Sequence, residues 1–268
     1  MRNRTLDVVK AICAYAVVLL HVHFPGNAGI IANVLARFAV PVFFMVSGYF
    51  CFRGDDTEFI RTGKKIRHVL KLMLVAFPVC CLWELIQNHI DGASQKEWLE
   101  ALVSGEHIRQ FLLYNNSSQV KWHLWFLPAL LYCYLLFALA ARLRICKQAY
   151  VLIPVLLLIH FGMEEFSIFL FPEKHFRVMQ FRNYLFTGFP VFYVGTSDTQ
   201  TSGKSWKPGL PVKKVFLLYG MVAGAGIASL LEYRYFGKLE LFLGSVFMAV
   251  GFFSLRSWEK IGKCPSFR

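Results

Sequence analysis

Long apolar runs recur along the chain and are separated by shorter polar segments. Most of the runs are about twenty residues long, which is the length that an α-helix needs to cross a bilayer. The pattern predicts eight membrane helices, the sixth of them short: 6–26, 30–52, 67–90, 122–141, 150–170, 181–195, 215–231 and 239–255. We therefore predict an all-α, polytopic helix bundle that forms one membrane-embedded domain over residues 1–268.

Composition and charge agree with an integral membrane protein. The chain is 56% hydrophobic and 16% aromatic, and its mean hydropathy is +0.48, which is unlike a soluble protein. A net charge of +13 suggests nucleic acid as a partner, but the positions of the 29 Lys and Arg residues decide against it. With the N-terminus inside, twenty fall in cytoplasmic segments, eight in outer segments and one, Arg37, within a span. By the positive-inside rule, both termini are predicted to be cytoplasmic.

Several common kinds of functional site have no signature in the sequence. The seven cysteines include no Cys-x-x-Cys pair, so neither a disulfide framework nor a zinc site is expected. Walker, dinucleotide-binding and Gly-x-Ser-x-Gly patterns are also missing. The first apolar segment is too long for a cleavable signal and contains charges. We expect no bound metal and no tightly bound cofactor.

The first predicted helix carries ionisable side chains along one face. An α-helix turns 100° per residue, so Lys10 and His21 lie about 20° apart around it, and Asp7 lies about 40° to the other side of His21. Asp7 also precedes Lys10 by three residues, which is close enough for an ion pair. Lys10 reaching to the interface and Asp7 stabilising the helix N-terminus are structural alternatives. Because ionisable groups within a membrane usually face cavities or partners, we predict that this face is functional.

The second predicted helix places a guanidinium within the membrane. Pro41 follows Arg37 by four residues, removes a backbone hydrogen bond and favours a kink where other groups line a cavity. An unpaired guanidinium in hydrocarbon is costly and its planar fork suits anions, so we predict that Arg37 binds an anionic ligand. The Ser47-Gly48 pair is better explained by close packing of a neighbouring helix.

The segment RGDDTEFIRTGKKIRHVLK, from Arg53 to Lys71, is the strongest basic cluster. Within it Lys64, Arg67 and Lys71 recur at helical spacing, with Lys65 beside them, so one face at the start of the third helix is cationic. Two interpretations stay open. The face contacts anionic lipid head groups and sets the topology, or it docks a phosphorylated donor.

Three residues near the predicted outer face complete the candidates. Glu84 lies next to Trp83 in the third helix, where a carboxylate has a raised pKa or a cationic partner that the sequence does not identify. Residues 91–121 are expected to form an amphipathic or re-entrant helix that covers an acceptor site. Trp122 and His123 open the fourth helix, where anchoring at the interface explains the tryptophan. We keep Glu84, Trp122 and His123 as candidate substrate contacts.

Four segments, taken in order, resemble the acyltransferase 3 family of integral membrane acyltransferases. They are RNRTLDVVKAICAYAVVLLHVH, RFAVPVFFMVSGYF, the basic start of the third helix and HLWFLPALLYCY. The family opens with Leu-Asp and then an Arg or Lys, ten residues and a His, matched here by Leu6, Asp7, Lys10 and His21. Its second helix carries an arginine before a VPxFFxxSG run, matched by residues 37–48.

The resemblance implies that an acyl group, usually acetyl, passes from cytoplasmic acyl-CoA to a hydroxyl of a cell-envelope glycan. The implied location is the bacterial inner membrane. His21 would be a base or a transient acyl carrier, Lys10 and Arg37 would hold negative charge of the donor, and Asp7 would orient Lys10. The phosphates of coenzyme A would meet the basic residues of the third helix: Lys64, Lys65, Arg67 and Lys71.

The chain departs from the family towards its C-terminal end. Members usually have about ten membrane helices, and the last residues, KIGKCPSFR, resemble the family's LGKxSF stretch, which normally leads into a further helix. We expect the family's final helices to be missing, which makes an inactive member one alternative. The other is a non-enzymatic multispan carrier or exporter of a glycan or small organic acid, although residues 1–134 and 135–268 show no convincing repeat. The acceptor sugar, the acyl chain and the oligomeric state do not follow from any pattern.

Overall fold

The computed structural model describes residues 4–22, 24–51, 58–201 and 212–255. Its regular elements in these ranges are all helical, which confirms the predicted all-α class. The helices are α1 (Arg4–His21), α2 (Gly26–Ala36), α3 (Ala39–Tyr49), α4 (Glu58–Ile90), α5 (Gln95–Leu102), α6 (Gly105–Tyr114), α7 (Phe126–Arg142), α8 (Leu152–Met163), α9 (Ser167–Leu170), α10 (Val178–Phe181), α11 (Phe189–Thr201), α12 (Val212–Phe236) and α13 (Leu243–Ser254). Short 3₁₀ turns precede α7 and α8, and a π turn, Tyr184–Gly188, precedes α11. The C-terminal stretch KIGKCPSFR lies outside the described residues.

Four stretches of the described chain are long and apolar enough to cross a membrane. They are Gly26–Tyr49, Arg61–Ile90, Trp122–Arg142 and Val215–Phe236. The stretches Gln148–Met163 and Leu243–Ser254 are apolar but shorter. The chain therefore has the helices of an integral membrane protein, while the count of eight spans and the cytoplasmic position of both termini stay predictions.

Two helix ends differ from the predicted spans. The first helix ends at His21, not at Gly26. Pro25 has an extended backbone, with φ −69° and ψ 150°, and is the N-cap of α2. Because a residue before proline avoids the helical region, α1 ends before Pro25. In the fifth predicted span, α8 ends at Met163 and a turn over 164–166 separates it from α9. The Glu164 carboxylate in that turn accepts hydrogen bonds from the backbone N–H groups of Glu240 and Leu241.

The described residues fall into two compact units. The first unit comprises Met1–Arg53, Glu164–Leu170 and Val191–Arg268, and the second comprises Gly54–Met163 and Phe171–Pro190. In the first unit α12 packs along α13, while α3 packs on α1 and α13, and α2 packs on α1 and α12. In the second unit α4 packs along α7, and the π turn contacts α7 and α8. Whether the whole chain acts as one domain stays a prediction.

Two glycines permit a close crossing of α3 and α11 within the first unit. A Cβ atom at Gly48 would lie 2.0 Å from the carbonyl oxygen of Phe192, and one at Gly195 would lie 1.9 Å from that of Met45. Any larger side chain at either position would force the helices apart. The expected role of Gly48 in close helix packing is confirmed, and α11 is the helix that packs there.

The segment after α4 forms two short amphipathic helices in the second unit, where the apolar pattern predicted one amphipathic or re-entrant helix. Ser94 caps α5 by accepting from the Glu97 N–H at 3.3 Å, and Ser104 caps α6 by accepting from the His107 N–H at 3.2 Å. The Trp98 indole N–H donates to the carbonyl of Gln119 at 2.9 Å. These bonds fix α5 against the loop that leads to α7.

Candidate functional site

The ionisable face of α1 contains the predicted ion pair. The Lys10 Nζ lies 2.7 Å from Asp7 Oδ1, and the two side chains are 37% and 30% exposed. The packed face of α1 is formed by four apolar residues: Leu6, Val9, Cys13 and Ala16. At 100° per residue, Lys10 and His21 lie about 80–100° from the middle of that face. The polar face of α1 therefore runs along the edge of the packed surface.

His21 is the last residue of α1 and is exposed. The sequence placed it well inside a span, so its position at a helix end is a correction, and the extended backbone at Pro25 is its cause. The end of α1 is tied to α2, because the Asn33 side-chain amide donates to the Leu20 carbonyl at 3.4 Å. Lys10 and His21 are about 16 Å apart along the helix, so the two side chains cannot contact the same small group.

Arg37 lies in the bend between α2 and α3, where Pro41 supplies no backbone N–H to the Arg37 carbonyl. Its Nη1 donates to Glu240 Oε2 at 3.0 Å and to the Glu240 carbonyl at 3.1 Å. The Arg37 side chain is only 10% exposed. Its Nε is buried and has no hydrogen-bond partner among the described residues. Within the described ranges, the guanidinium is therefore engaged through Nη1 alone.

The segment that carries Glu240 is held by two further carboxylates. Glu164 accepts from the N–H groups of Glu240 and Leu241, the latter at 3.3 Å. Glu232 accepts from Leu243 at 2.7 Å and from Gly244 at 3.0 Å, at the start of α13. Negative charge is favourable at a helix N-terminus. These contacts fix the backbone of residues 240–244 opposite Arg37.

Glu165 is a further carboxylate of this region, and it does not accept the backbone hydrogen bonds that Glu164 and Glu232 accept. Its side chain is 4% exposed, and its Oε2 has no hydrogen-bond partner in the described part of the chain. It lies in the turn that follows the apolar helix Gln148–Met163. Burial, and after it the charges of Glu232 and Glu164, raises the pKa of Glu165 to about 7. This carboxyl group can exchange a proton near neutral pH.

A cavity of about 160 Å³ opens beside Arg37 in the first unit. Its polar lining comes from Asn33, Arg37, Tyr233 and Lys238, and Ile30 and Phe242 are among its apolar lining. The cavity lies on the α2 side of the bend at Arg37. Glu240 and Lys238 were not among the sequence candidates. One signal in the sequence points to a residue such as Glu240. A guanidinium within a span needs an acidic partner, and many acidic residues lie at the predicted outer side.

The basic face of α4 is part of the second unit. Lys64, Arg67 and Lys71 are exposed, whereas Lys65, about 100° from Lys64 around the helix, is half-buried. The same side of α4 continues as an apolar surface, with Val75, Val79 and Leu82 at least 60% exposed. A basic turn followed by exposed apolar residues fits a lipid-facing helix. Both interpretations of the basic face stay open.

Glu84 has a cationic partner, also in the second unit. The Lys121 ammonium forms an ion pair with Glu84 and donates to the Gln87 side chain at 2.9 Å. The predicted need of Glu84 for a partner is met by a residue 37 positions later. Trp122 is 56% exposed, and the Arg182 guanidinium lies 5.3 Å from its ring centre. His123 is exposed in the 3₁₀ turn that follows Lys121.

The structure thus distributes the sequence candidates over two units. Asp7, Lys10, His21 and Arg37 belong to the first, and Lys64, Lys65, Arg67, Lys71, Glu84, Trp122 and His123 belong to the second. Among the described residues, no group of three or more His, Cys, Asp or Glu side chains is placed to hold a metal ion. The chemistry available in the first unit is that of an imidazole, an ion-paired lysine and a buried guanidinium.

The chain matches a known protein family. The family model of the Acyltransferase domain, Acyl_transf_3, matches residues 3–262. No curated protein and no solved structure matches the chain significantly.

Proposed function

The chain belongs to the acyltransferase 3 family, and from that premise we propose that it moves an acyl group from cytoplasmic acyl-CoA to a hydroxyl of a cell-envelope glycan. Acetyl is the proposed acyl group, and the bacterial inner membrane is the proposed location. The observation that carries the proposal is the family match over residues 3–262. The matched region includes Lys10 and His21 on one side of α1, and Asp7, which forms an ion pair with Lys10.

His21 is the proposed catalytic residue. A neutral imidazole can accept the proton of the acceptor hydroxyl while the hydroxyl oxygen attacks the thioester carbonyl and the coenzyme A thiolate leaves. In the other form of the proposal, an imidazole nitrogen attacks the thioester first, the thiolate leaves, and the acyl group then passes to the hydroxyl. Histidine suits both forms because its ordinary pKa lies near neutral pH. The exposure of His21 at the end of α1 supports access by a substrate from the end of the helix.

Lys10 and Arg37 are proposed to hold negative charge of the donor, and Asp7 is proposed to position Lys10. The ion pair of 2.7 Å supports the role of Asp7, because it fixes the ammonium on the polar face of α1. Arg37 is engaged by Glu240 through Nη1. It can therefore bind an anion only through the rest of its guanidinium.

Coenzyme A is proposed to dock on the basic face of α4 through its phosphates. Lys64, Arg67 and Lys71 are exposed there, and Lys65 lies at the border of the face. Ammonium and guanidinium groups form charge-assisted hydrogen bonds to phosphate oxygens. Glu84, Trp122 and His123 are proposed as acceptor contacts, and the exposed ring of Trp122 suits stacking on a sugar. The ion pair with Lys121 leaves Glu84 with less capacity for that role.

Acyl transfer by the purified full chain tests this function against the carrier alternative. The protein in detergent is given acetyl-CoA labelled in the acetyl group, with and without a glycan extract of the cell envelope, and free thiol and labelled product are measured. We expect thiol release and labelled glycan. A carrier or an inactive member would give neither, and that result would refute the proposed function.

A further inference from the structure

The cavity beside Arg37 has the size of a single ring. It lies in the first unit between α2, the end of α12 and the segment before α13, and its volume is about 160 Å³. A protein cavity of about 150 Å³ holds one benzene molecule. The ring of one sugar therefore fits, whereas some of its substituents and any further sugar residue would have to extend outside.

The charge of the lining favours an anion. Arg37 and Lys238 both line the cavity, and none of the described residues that line it carries a carboxylate. Lys238 is exposed and has no hydrogen bond or ion pair among the described residues. The Arg37 side chain is nine-tenths buried, with 10% exposure, and its Nε has no partner there. This Nε has almost no accessible surface, so a ligand in the cavity would have to use the terminal nitrogens of the guanidinium.

The carboxylate of Glu240 offsets part of the charge of Arg37, while Lys238 has no such partner among the described residues. Glu240 takes only Nη1 of Arg37. Glu164 and Glu232 direct their oxygens to backbone N–H groups between Glu240 and Gly244. Among the described residues, Lys238 and one terminal nitrogen of the Arg37 guanidinium therefore stay available to a ligand.

The remaining lining has the mixture of apolar and polar groups found in small-molecule sites. Tyr233 and Phe242 supply aromatic surface, and Asn33 supplies an amide. The amide N–H of Asn33 is directed to the Leu20 carbonyl at 3.4 Å, so its oxygen can accept from a hydroxyl. An aliphatic acid would leave these polar groups unused.

We propose that this cavity binds one acidic sugar residue, with the carboxylate between Arg37 and Lys238 and the ring against Tyr233. The inference deepens the proposed function and rests on it for the role of the sugar, which is the acceptor of the acyl group. It assigns Arg37 to the acceptor, in place of the donor role proposed above, and leaves the negative charge of the donor to Lys10. The predicted topology supports that role, because the cavity includes the segment after α12 that the charge pattern places outside.

Equilibrium binding without any acyl donor tests the inference separately from catalysis. The full chain in detergent is titrated with methyl glucuronoside, with methyl glucoside, which lacks the carboxylate, and with inorganic phosphate. We expect the glucuronoside to bind at least about tenfold more tightly than the glucoside, which is the effect of one charge-assisted hydrogen bond. Equal binding of the two glycosides, or binding of neither, would overturn the inference. Phosphate that binds as tightly as the glucuronoside would also overturn it, in favour of a phosphate site.

Variants locate the binding. Lys238→Gln removes an exposed ammonium without a structural partner, and Arg37→Gln with Glu240→Gln removes the guanidinium without leaving an unpaired carboxylate. We expect both variants to reduce the preference for the glucuronoside over the glucoside to less than about a third of the wild-type preference. Arg234→Gln is the matched control, because Arg234 is an exposed cation of α12 that does not line the cavity. Unchanged preference in both test variants would place the ligand elsewhere.

The two proposals can fail separately. If the glucuronoside binds but no acyl group is transferred, the proposed function fails and the acidic-sugar site stands. If acyl transfer occurs equally to neutral and acidic glycans and the glucuronoside does not bind, the site fails and the acyltransferase function stands.

Discussion

Arg37 and Glu240 are 203 positions apart in the chain, and one guanidinium nitrogen of Arg37 donates to both the carboxylate and the carbonyl of Glu240. The two side chains are 10% and 23% exposed. The pair therefore joins the bend between α2 and α3 to the segment between α12 and α13. Because that segment also lines the cavity through Lys238 and Phe242, the pair fixes both the position of Arg37 and the shape of the cavity.

Breaking the Arg37–Glu240 pair should destabilise the first unit. Arg37→Gln leaves a partly buried carboxylate without its partner, so we expect a loss of about 2–3 kcal/mol in the free energy of unfolding, below the cost for a fully buried pair. Glu240→Gln should cost a similar amount. The double variant should lose clearly less than the sum of the two, with a coupling of about 1–2 kcal/mol.

Thermal unfolding of the detergent-solubilised variants measures this coupling. Lys96→Gln together with Glu100→Gln is the matched control, because that pair is 3.9 Å apart and its side chains are 87% and 66% exposed. Exposed pairs contribute little. Additive losses for Arg37→Gln and Glu240→Gln would mean that the observed contact does not contribute to stability.

Local contacts of this fold could be predicted from the sequence, and distant ones could not. Helical periodicity placed Asp7 next to Lys10, and the pair is present at 2.7 Å. The same periodicity cannot identify Glu240 as the partner of Arg37, or Lys121 as the partner of Glu84, because those contacts depend on how helices far apart in the chain pack. The sequence indicates only that each buried charge needs a partner, and it does not identify which residue that partner is.

Hydropathy also overestimated two helices. The runs 6–26 and 150–170 are apolar enough to be continuous, but the backbone ends α1 at His21 and α8 at Met163. Pro25 explains the first end, and the hydrogen bonds of Glu164 to the backbone of residues 240–241 explain the second. A sum of hydropathy values does not include the rule that a residue before proline avoids the helical conformation. It also does not include hydrogen bonds to backbone groups far away in the chain.

Glu165 should make stability fall as pH rises. Its pKa is raised from the ordinary value of 4.5 to about 7 by burial, with Glu232 and Glu164 adding to the shift. Between these values the folded state binds more protons than the unfolded state, so stability decreases with pH and the full penalty is present above about pH 7. Glu165→Gln removes the penalty. We expect it to stabilise the protein by about 2 kcal/mol at pH 8 and to have little effect at pH 4.

Thermal unfolding of wild type and Glu165→Gln across this pH range checks the sign. Glu173→Gln, which changes an exposed carboxylate, serves as the control and should shift the curve equally at both ends. A stabilisation by Glu165→Gln that is the same at pH 4 and pH 8 would show that Glu165 does not titrate as described.

Side chains at Gly48 or Gly195 should separate α3 from α11. Each Cβ would lie within 2.0 Å of a backbone carbonyl oxygen, so we expect Gly48→Ala and Gly195→Ala to cost about 1–3 kcal/mol by overpacking. Gly220→Ala is the control, because nothing lies within 4 Å of a Cβ at that position in α12. It should be neutral or stabilise the helix by about 0.5–1 kcal/mol. Equal effects of the three variants on the unfolding temperature would contradict the close crossing.

Removing the charge of the basic face of α4 distinguishes its two interpretations. If coenzyme A docks there, the triple variant Lys64→Gln, Arg67→Gln and Lys71→Gln should raise the KM for acetyl-CoA about tenfold or more at an unchanged kcat, because each phosphate contact contributes to binding of the donor. The matched triple, Arg142→Gln, Arg144→Gln and Lys147→Gln, removes three exposed cations at and after the end of α7 and should leave the KM unchanged. Equal KM values for both triples would favour contact with lipid head groups.

The role of His21 is tested most directly by acyl transfer in membranes that contain His21→Ala and are supplied with acetyl-CoA labelled in the acetyl group. Since a general base contributes about 10²–10⁴-fold to a rate, we expect labelled acceptor to fall by at least about 100-fold while the amount of membrane-inserted protein stays that of the wild type. Transfer at the wild-type rate by His21→Ala would contradict the proposal that this imidazole handles the acyl group.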